Sequence, residues 1–514
     1  MINASDFRAA QRQPPHEQGR VRIESLGIIS NGRVGDLKRC VGSWVRHLHS
    51  HSRACEVIVM DDAECPETRK SVQAWLRGVA RRSGVQMSYA GAEEKSRFAR
   101  NLLTRGIPPD IVRMVFRREH QMESSPGSNR NALLLHGVGA GTMSCDEDAV
   151  CKVYDLRRGS QALTAVPIAP TAERLHFMLA DSLSADLPEY PDDLLAAHES
   201  LLGRPLSELI HPFENTMKVD AAKMGSRILC DLLDGAGAVA VTVSGVVGDP
   251  GLPHLAPILT AQEPTRTRLA PFWHATGIRT NFHAILGVNR PILSIHGPLA
   301  TTTATGLDNR SPLPPFVPFG TGEDTLFGSM LVKCLRGAYV GYLPFGLLHV
   351  HRHRAYSPPP SRPRVADLIG LIAADAPDVL SSGAESRMKA IGQHIVSCGT
   401  APLGEFSEYV VQRSRRFLLN LIERCQALLD QYGGDPPDWA ENLADWIARL
   451  EQVMLSPDVG IPANLPHAET TVERSVHLQQ IVRDFGALLC SWSEVWKAAR
   501  CLKDSGVALA RRVE

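Results

Sequence analysis

Residues 23–62 constrain the fold more than any other segment. Ile23 to Ser30 (IESLGIIS) is a short apolar run that breaks at Asn31-Gly32-Arg33. Leu37, Val41, Trp44, Val45 and Leu48 then recur at helical spacing. Glu56 to Met60 (EVIVM) is a β-branched run that stops at Asp61-Asp62. This is a strand–helix–strand unit, for which parallel pairing with a right-handed crossover is the default. Ligands of such sheets bind beyond the carboxyl ends of the strands, where Ser30, Asn31, Arg33, Asp61 and Asp62 fall. No Gly-x-Gly-x-x-Gly follows either strand, which disfavours a dinucleotide site.

A second segment supplies chemistry. SNRNALLLHGVGAGTMSCDEDAVC (128–151) reads as a polar Arg-Asn entry, an apolar helix, a Gly-broken turn, a short strand and three acids. Packed carboxylates raise one another's pKa unless a cation or solvent receives them. Oxygen ligands of this kind suit Mg²⁺ or Mn²⁺, with a diphosphate completing the shell. The plain alternative is a strand that runs out into an acidic, solvated loop.

Taken together, LGIISNGRVGDLKRCVGSW, CEVIVMDDAECPETRK and SNRNALLLHGVGAGTMSCDEDAV resemble the three successive signatures of family 2 glycosyltransferases with the GT-A fold. A fourth stretch, GTGEDTLFG (320–328), is similar to the later acidic motif that carries the base of inverting members. The resemblance covers roughly residues 21–155 and, less closely, 295–355. It implies Ser30 and Asn31 against the nucleotide, Arg33 and Asp61 beside them, and Asp62 on the base. Arg130 would approach the diphosphate, Asp146 and Asp148 would frame Mn²⁺ or Mg²⁺ with Asp148 as direct ligand, and Asp324, with Glu323 beside it, would be the base. Two departures stand out: the first loop lacks the usual aromatic, and about 170 residues separate the acid run from GTGEDTLFG.

Composition fits an ordinary globular enzyme. The 514 residues are 44% hydrophobic and 21% charged, a length that suggests two or three domains. The 55 basic and 55 acidic residues cancel, so no overall field favours nucleic acid or an anionic membrane. Eleven cysteines lack Cys-x-x-Cys spacing, which points to reduced thiols rather than a zinc ribbon or disulfide scaffold. The polar N-terminus lacks a signal-peptide core, and AVAVTVSGVVG (238–248) is too short to span a bilayer. A cytoplasmic protein with no transmembrane segment is expected.

The middle of the chain is read more coarsely. Residues 172–183, 193–202 and 221–233 have helical patterning, 238–247 reads as a strand, and Gly248-Asp249-Pro250-Gly251 as a turn. Asp249 follows a buried strand and either points into the site or simply forms the turn. Trp273 and His274 are candidates for stacking on a sugar, with burial in a core as the simpler reading. Residues 296–328 are rich in Gly, Pro, Thr and Asn and read as an ordered loop system. Within it Asp308, Asn309 and Arg310 are either donor-sugar contacts or polar groups satisfying their own backbone. Glu323 and Asp324 open a helix, so capping and catalysis are both open to them. In LPFGLLHVHRHR (343–354), His349 and His351 share a strand face. His349 is the expected nitrogen ligand to the metal, or a diphosphate contact, as a late histidine is in many GT-A enzymes; the alternative is a basic loop touching solvent or phosphate.

Ser357-Pro358-Pro359-Pro360-Ser361-Arg362-Pro363 interrupts all regular structure. Beyond it come three helical stripes, at 417–429, 439–450 and 481–496. The expected organisation is α/β: a flexible N-terminus (1–20), a GT-A-like, Rossmann-type nucleotide-diphospho-sugar domain (21–355), a Pro-rich linker (356–363) and an all-α accessory domain (364–514). The last serves acceptor recognition or homo-oligomer formation. The expected activity is metal-dependent transfer of a sugar from a nucleotide-sugar donor, a UDP-sugar first, to an acceptor hydroxyl, thiol or amine on a small molecule, peptide or glycan, with inversion. A sugar nucleotidyltransferase is the first rival, weakened by the absence of a Gly- and Lys-rich phosphate loop. A non-catalytic GT-A-like scaffold is the second, weakened by the presence of both Asp148 and Asp324.

Overall fold

The computed structural model describes residues 20–116, 126–159, 163–167, 175–178, 187–210, 221–252, 254–263, 265–276, 283–296, 303–351, 358–378, 383–465 and 470–514. The strands are β1 (Ile23–Ser30), β2 (Glu56–Asp61), β3 (Met87–Ala90), β4 (Gly141–Asp146), β5 (Ala149–Asp155), β6 (Thr164–Val166) and β7 (Leu175–Met178). They continue as β8 (Ala238–Gly248), β9 (His283–Leu286), β10 (Ile292–Ser294), β11 (Ala304–Asp308), β12 (Ala338–His349) and β13 (Arg511–Arg512). All thirteen form one mixed sheet, whose long path runs β13-β3-β2-β1-β4-β11-β8-β12-β10-β6.

The expected strand–helix–strand unit is present. β1 pairs parallel with β2, Ser25 opposite Glu56 and Ser30 opposite Asp61, and helix Val34–Ser50 makes the crossover. The chain moves on to β3 beside β2 and then returns to the other side of β1, where β4 pairs parallel with it. The direction of winding therefore reverses between β1 and β4. Next to β4 lies β11, antiparallel to both β4 and β8.

Strand alternation feeds two cores. Ile29, Ile58 and Met60 pack with helices Ala92–Thr104, Pro109–Phe116 and Pro126–His136, whereas Ile28, Val57 and Val59 pack with helix Val34–Ser50 on the other face. The first core continues into the C-terminal helices, because Phe98, Val115 and Leu133 share it with Ile391, Phe485 and Trp492. Hydrogen bonds also cross this contact: the indole of Trp492 donates to Leu313 O at 2.6 Å and that of Trp496 to Asn309 Oδ1 at 3.0 Å. Helix Thr471–Asp504 then leads to β13, which closes the β3 edge. Where the Pro-rich segment is described it is packed: Pro359 is buried and Pro360 O accepts from the Trp446 indole at 3.0 Å.

Several expectations change in the middle of the chain. Leu175–Met178, read as helix, is a strand paired with β9, and the rest of 172–183 lies outside the described residues. The supposed loop system at 296–328 contains β11; residues 297–302 lie outside the described residues. Trp273 is core, stacked 6.4 Å from Trp439. Among the described residues no helix is long and apolar enough to cross a membrane, and all eleven cysteines are free thiols.

Candidate functional site

In sheets of this kind a ligand crevice lies at the carboxyl ends of the parallel strands where the winding reverses, which here is between β1 and β4. Most of the residues singled out in the sequence meet there. After β1 the chain turns at Gly32, whose φ of +78° is the left-handed conformation glycine tolerates. That turn presents Arg33 to the acids after β4. Arg33 Nε donates to Glu147 Oε1 at 2.7 Å and Nη1 to Asp148 Oδ2 at 2.9 Å, while the Asn31 amide donates to Glu147 Oε1 at 3.2 Å. Ser30 is itself buried: Gly32 N donates to its Oγ, Asp62 N to its carbonyl, and its hydroxyl bonds Glu147.

Asp148 is held from a second direction. His349, the last residue of β12, places Nε2 3.0 Å from Asp148 Oδ1 and Nδ1 2.8 Å from Asp249 O. Asp249 forms the turn, its carboxylate accepting from Gly251 N, and its backbone carbonyl orients His349. Burial pulls the His349 pKa down, but the hydrogen bond and charge of Asp148 carry it above its ordinary value. For Asp148 burial acts upward, and His349 with Arg33 outweighs it, holding the carboxyl well below the usual range.

Asp146 takes a different cation. Arg130, buried on helix Pro126–His136, donates Nη2 to Asp146 Oδ1 at 2.9 Å and Nη1 to Glu323. Glu323 and Asp324 stand in the first turn of helix Glu323–Cys334. Burial pushes the Glu323 carboxyl up to about 7 against the pull of Arg130, and the neighbouring Asp324 adds to the rise. Asp324 is more open and receives the Thr325 amide at 2.8 Å. Burial also raises Asp146, with Arg130 opposing, and raises Glu147.

At the end of β2, Asp61 is an internal brace that accepts from Tyr89 OH at 2.7 Å and from Ala63 N at 3.0 Å. Asp62 faces Lys95 at 2.6 Å. Lys95, which sequence reasoning missed, is buried on helix Ala92–Thr104 and also reaches Asp61 O and Asn129 Oδ1. Asn129 Nδ2 in turn donates to Ser30 O at 3.2 Å. One ammonium therefore ties together the ends of β1 and β2 and the start of helix Pro126–His136. Its only sequence signal is a lysine on the apolar side of an amphipathic helix.

Asp308 and Asn309 do not join the site. Asp308 pairs with Gly141, at the opposite end of β4 from Asp146, a separation of about 17 Å along the strand. Asp308 is paired with Arg310, and Asn309 is buried, donating to Leu134 O and accepting from Trp496. The antiparallel direction of β11 is what carries them away. His351 lies past the end of β12, and His353 lies outside the described residues.

The expected metal set is also not assembled. Asp148 and His349 meet, but both Asp148 oxygens are taken, by His349 and Arg33, and Asp146 turns to Arg130. Among the described residues no three His, Cys, Asp or Glu side chains are grouped to hold a metal ion. The donor types suit a hard cation, but in this arrangement they do not fit one, because guanidinium groups stand against the carboxylates. Chemically the crevice offers two arginines facing the acids after β4, an exposed loop at Asn31, and a pair of carboxylates across from them. Comparison of the chain with protein-family models, curated proteins and solved structures finds no match.

Proposed function

We propose that this crevice binds a nucleoside-diphosphate sugar, a UDP-sugar first, and that the chain transfers the sugar with inversion to an acceptor hydroxyl, thiol or amine. The observation that supports this most is the convergence, at the winding reversal between β1 and β4, of Asn31, Arg33, Asp62, Arg130, Asp146 and Asp148 with the carboxylates Glu323 and Asp324. The mixed α/β sheet is compatible with the GT-A resemblance of the four motifs.

In this reading Asn31 and Asp62 face the nucleoside. Arg33 and Arg130 are the groups available to offset charge growing on the leaving diphosphate, which electrostatic preorganisation favours. Asp324, the more open carboxylate, takes the acceptor proton as the acceptor atom attacks C1 and the C1–phosphate oxygen bond breaks. Glu323, locked on Arg130, fixes that guanidinium.

Titration calorimetry of the full chain with UDP, GDP and dTDP, each with Mn²⁺ and with a chelator, tests binding; release of nucleoside diphosphate from the matching sugar donor tests transfer. Heat from none of them under either condition removes the reading. Binding without turnover over a broad acceptor set would favour a binding module on the same site.

A further inference from the structure

The β3 edge of the sheet is basic, in a chain whose charges cancel overall. Helix Pro66–Ser83 carries Arg69, Lys70, Arg77, Arg81 and Arg82 against Glu67 alone. Beside it β13 sets Arg511 opposite Tyr89 and Arg512 opposite Ser88. Arg77, Arg511 and Arg512 line one cavity of about 390 Å³, together with the acids Glu94 and Glu514. All three arginines are exposed, and among the described residues none of their side chains has a hydrogen bond or an ion pair. The cavity lies outside the crevice, since none of its lining residues belongs to the groups that converge after β1 and β4.

The two acids do not cancel the three guanidinium groups. Glu94 is buried, and its carboxylate caps its own helix by accepting from Gly91 N at 3.0 Å. That leaves Glu514 as the one open acid of the lining. Unpaired cations gathered in a concavity with low-dielectric walls focus a positive potential there. The strand that carries two of them is already fixed: Val513 N donates to Met87 O at 3.0 Å, Leu509 and Ala510 are buried, and Arg97 donates to Ala508 O and Leu509 O. Preorganisation of this kind lowers the ordering cost of binding. Charge on an edge strand also discourages pairing with another chain, but that role accounts neither for Arg77 on a separate helix nor for the cavity it shares with Arg511.

We propose that this cavity binds a ligand carrying adjacent phosphate groups, with Arg77 and Arg511 each holding one and Arg512 adding charge beside them. Directly paired residues share a sheet face, and Tyr89 packs in one core with Val72 and Leu76 of helix Pro66–Ser83, so Arg511 and Arg77 stand on the same side of the edge. The planar fork of a guanidinium matches phosphate oxygens two at a time. The volume falls at the small end of the roughly 300–1,000 Å³ of ligand pockets, which suits a free oligophosphate or the phosphorylated headgroup of a lipid. The site is independent of the nucleotide-sugar reading.

Calorimetric titration of the full-length protein with inorganic tripolyphosphate tests the free source, and flotation with phosphatidylcholine vesicles containing phosphatidylinositol bisphosphate tests the lipid source. Binding is expected in at least one arm, and which arm binds identifies the source. Arg77→Gln and Arg511→Gln are each expected to weaken it at least about fivefold, as loss of a charge-assisted contact does. Arg82→Gln, which removes an exposed arginine of the same helix that does not line the cavity, is expected to change the affinity less than about twofold, because salt screens a charge held at a distance. Arg33→Met, in the crevice, is expected to change it as little. Circular dichroism checks each fold, and Arg512→Gln replaces any cavity variant that is not native. No binding in either arm, a loss in Arg82→Gln equal to that in Arg77→Gln, or a loss in Arg33→Met with none in Arg77→Gln and Arg511→Gln overturns the proposal.

Discussion

Replacing Lys95 with methionine keeps the length of the stem and deletes one charge, which makes it the sharpest probe of how the crevice floor is built. The ammonium serves Asp62 at 2.6 Å, Asp61 O at 3.2 Å and Asn129 Oδ1. Breaking a buried ion pair by removing one partner costs about 3–5 kcal/mol. The two side chains keep 8% and 14% exposure, so water reaching Asp62 lowers this to about 2–3 kcal/mol. Each carbonyl acceptor left without its donor adds up to about 1 kcal/mol. The expected loss is about 3 kcal/mol in urea unfolding, with the midpoint falling and the slope unchanged. Asp62→Asn should cost less alone and partly rescue Lys95→Met, a coupling of about 1–2 kcal/mol in the double-mutant cycle. A loss under about 1 kcal/mol, or strict additivity, would refute the view that Lys95 ties β1, β2 and helix Pro126–His136 together.

Three further outcomes are expected. Asp324→Asn should keep UDP affinity within about twofold while kcat falls by roughly 10²–10⁴-fold; near wild-type turnover moves the base elsewhere. The Asp148–His349 pair should set a pH window. His349, raised in the fold, contributes fully below its ordinary value of about 6.5 and loses that as pH climbs through its folded pKa. Asp148, lowered in the fold, contributes above its ordinary value of about 3.9 and loses that as pH falls through its folded pKa. The pair's own contribution, read as the stability difference between wild type and His349→Gln against pH, should therefore be flattest between about 4 and 6.5 and fall above it; a difference that does not vary with pH counts against the pair. Deleting residues 364–514 should yield unfolded or insoluble protein, because Ile391, Phe485 and Trp492 fill a core shared with Phe98 and Leu133; a soluble fragment with native far-ultraviolet dichroism would contradict this.

What the sequence disclosed, and what it withheld, follows from how far each feature depends on distant chain. The strand–helix–strand unit at 23–62 is written in local periodicity, and the strand ends place Asn31, Arg33, Asp62 and Asp146 at one edge whatever the rest does. Lys95 is different: a lysine on an amphipathic helix is normally solvated, and only Asp62 and Asn129, each more than thirty positions away, make it a buried hub. Asp308 and Asn309 were misplaced for a related reason. Residue types mark a polar end to a strand, but not its direction, and β11 runs against β4. At Leu175–Met178 a short apolar run served helix and strand equally, and pairing with β9 decided it.

The ion pairs themselves favour a ligand site over a purely structural one. Arg33, Arg130 and His349 come from three elements, the loop after β1, helix Pro126–His136 and the end of β12, and all three converge on Asp146 to Asp148 at the end of β4. Buried ion pairs add little net stability, since apolar residues of the same size are often as good or better. Stability alone therefore gives no reason to gather these charges here. Nor are they needed to hold the sheet, whose faces are already sealed by apolar side chains on both sides of β1 and β2. The pairs lie where the winding of the sheet reverses, in the crevice that strand geometry opens to a ligand. Opposed charges held ready at such a place can exchange one internal partner for an external one at small net cost, and that exchange is what a charged ligand requires.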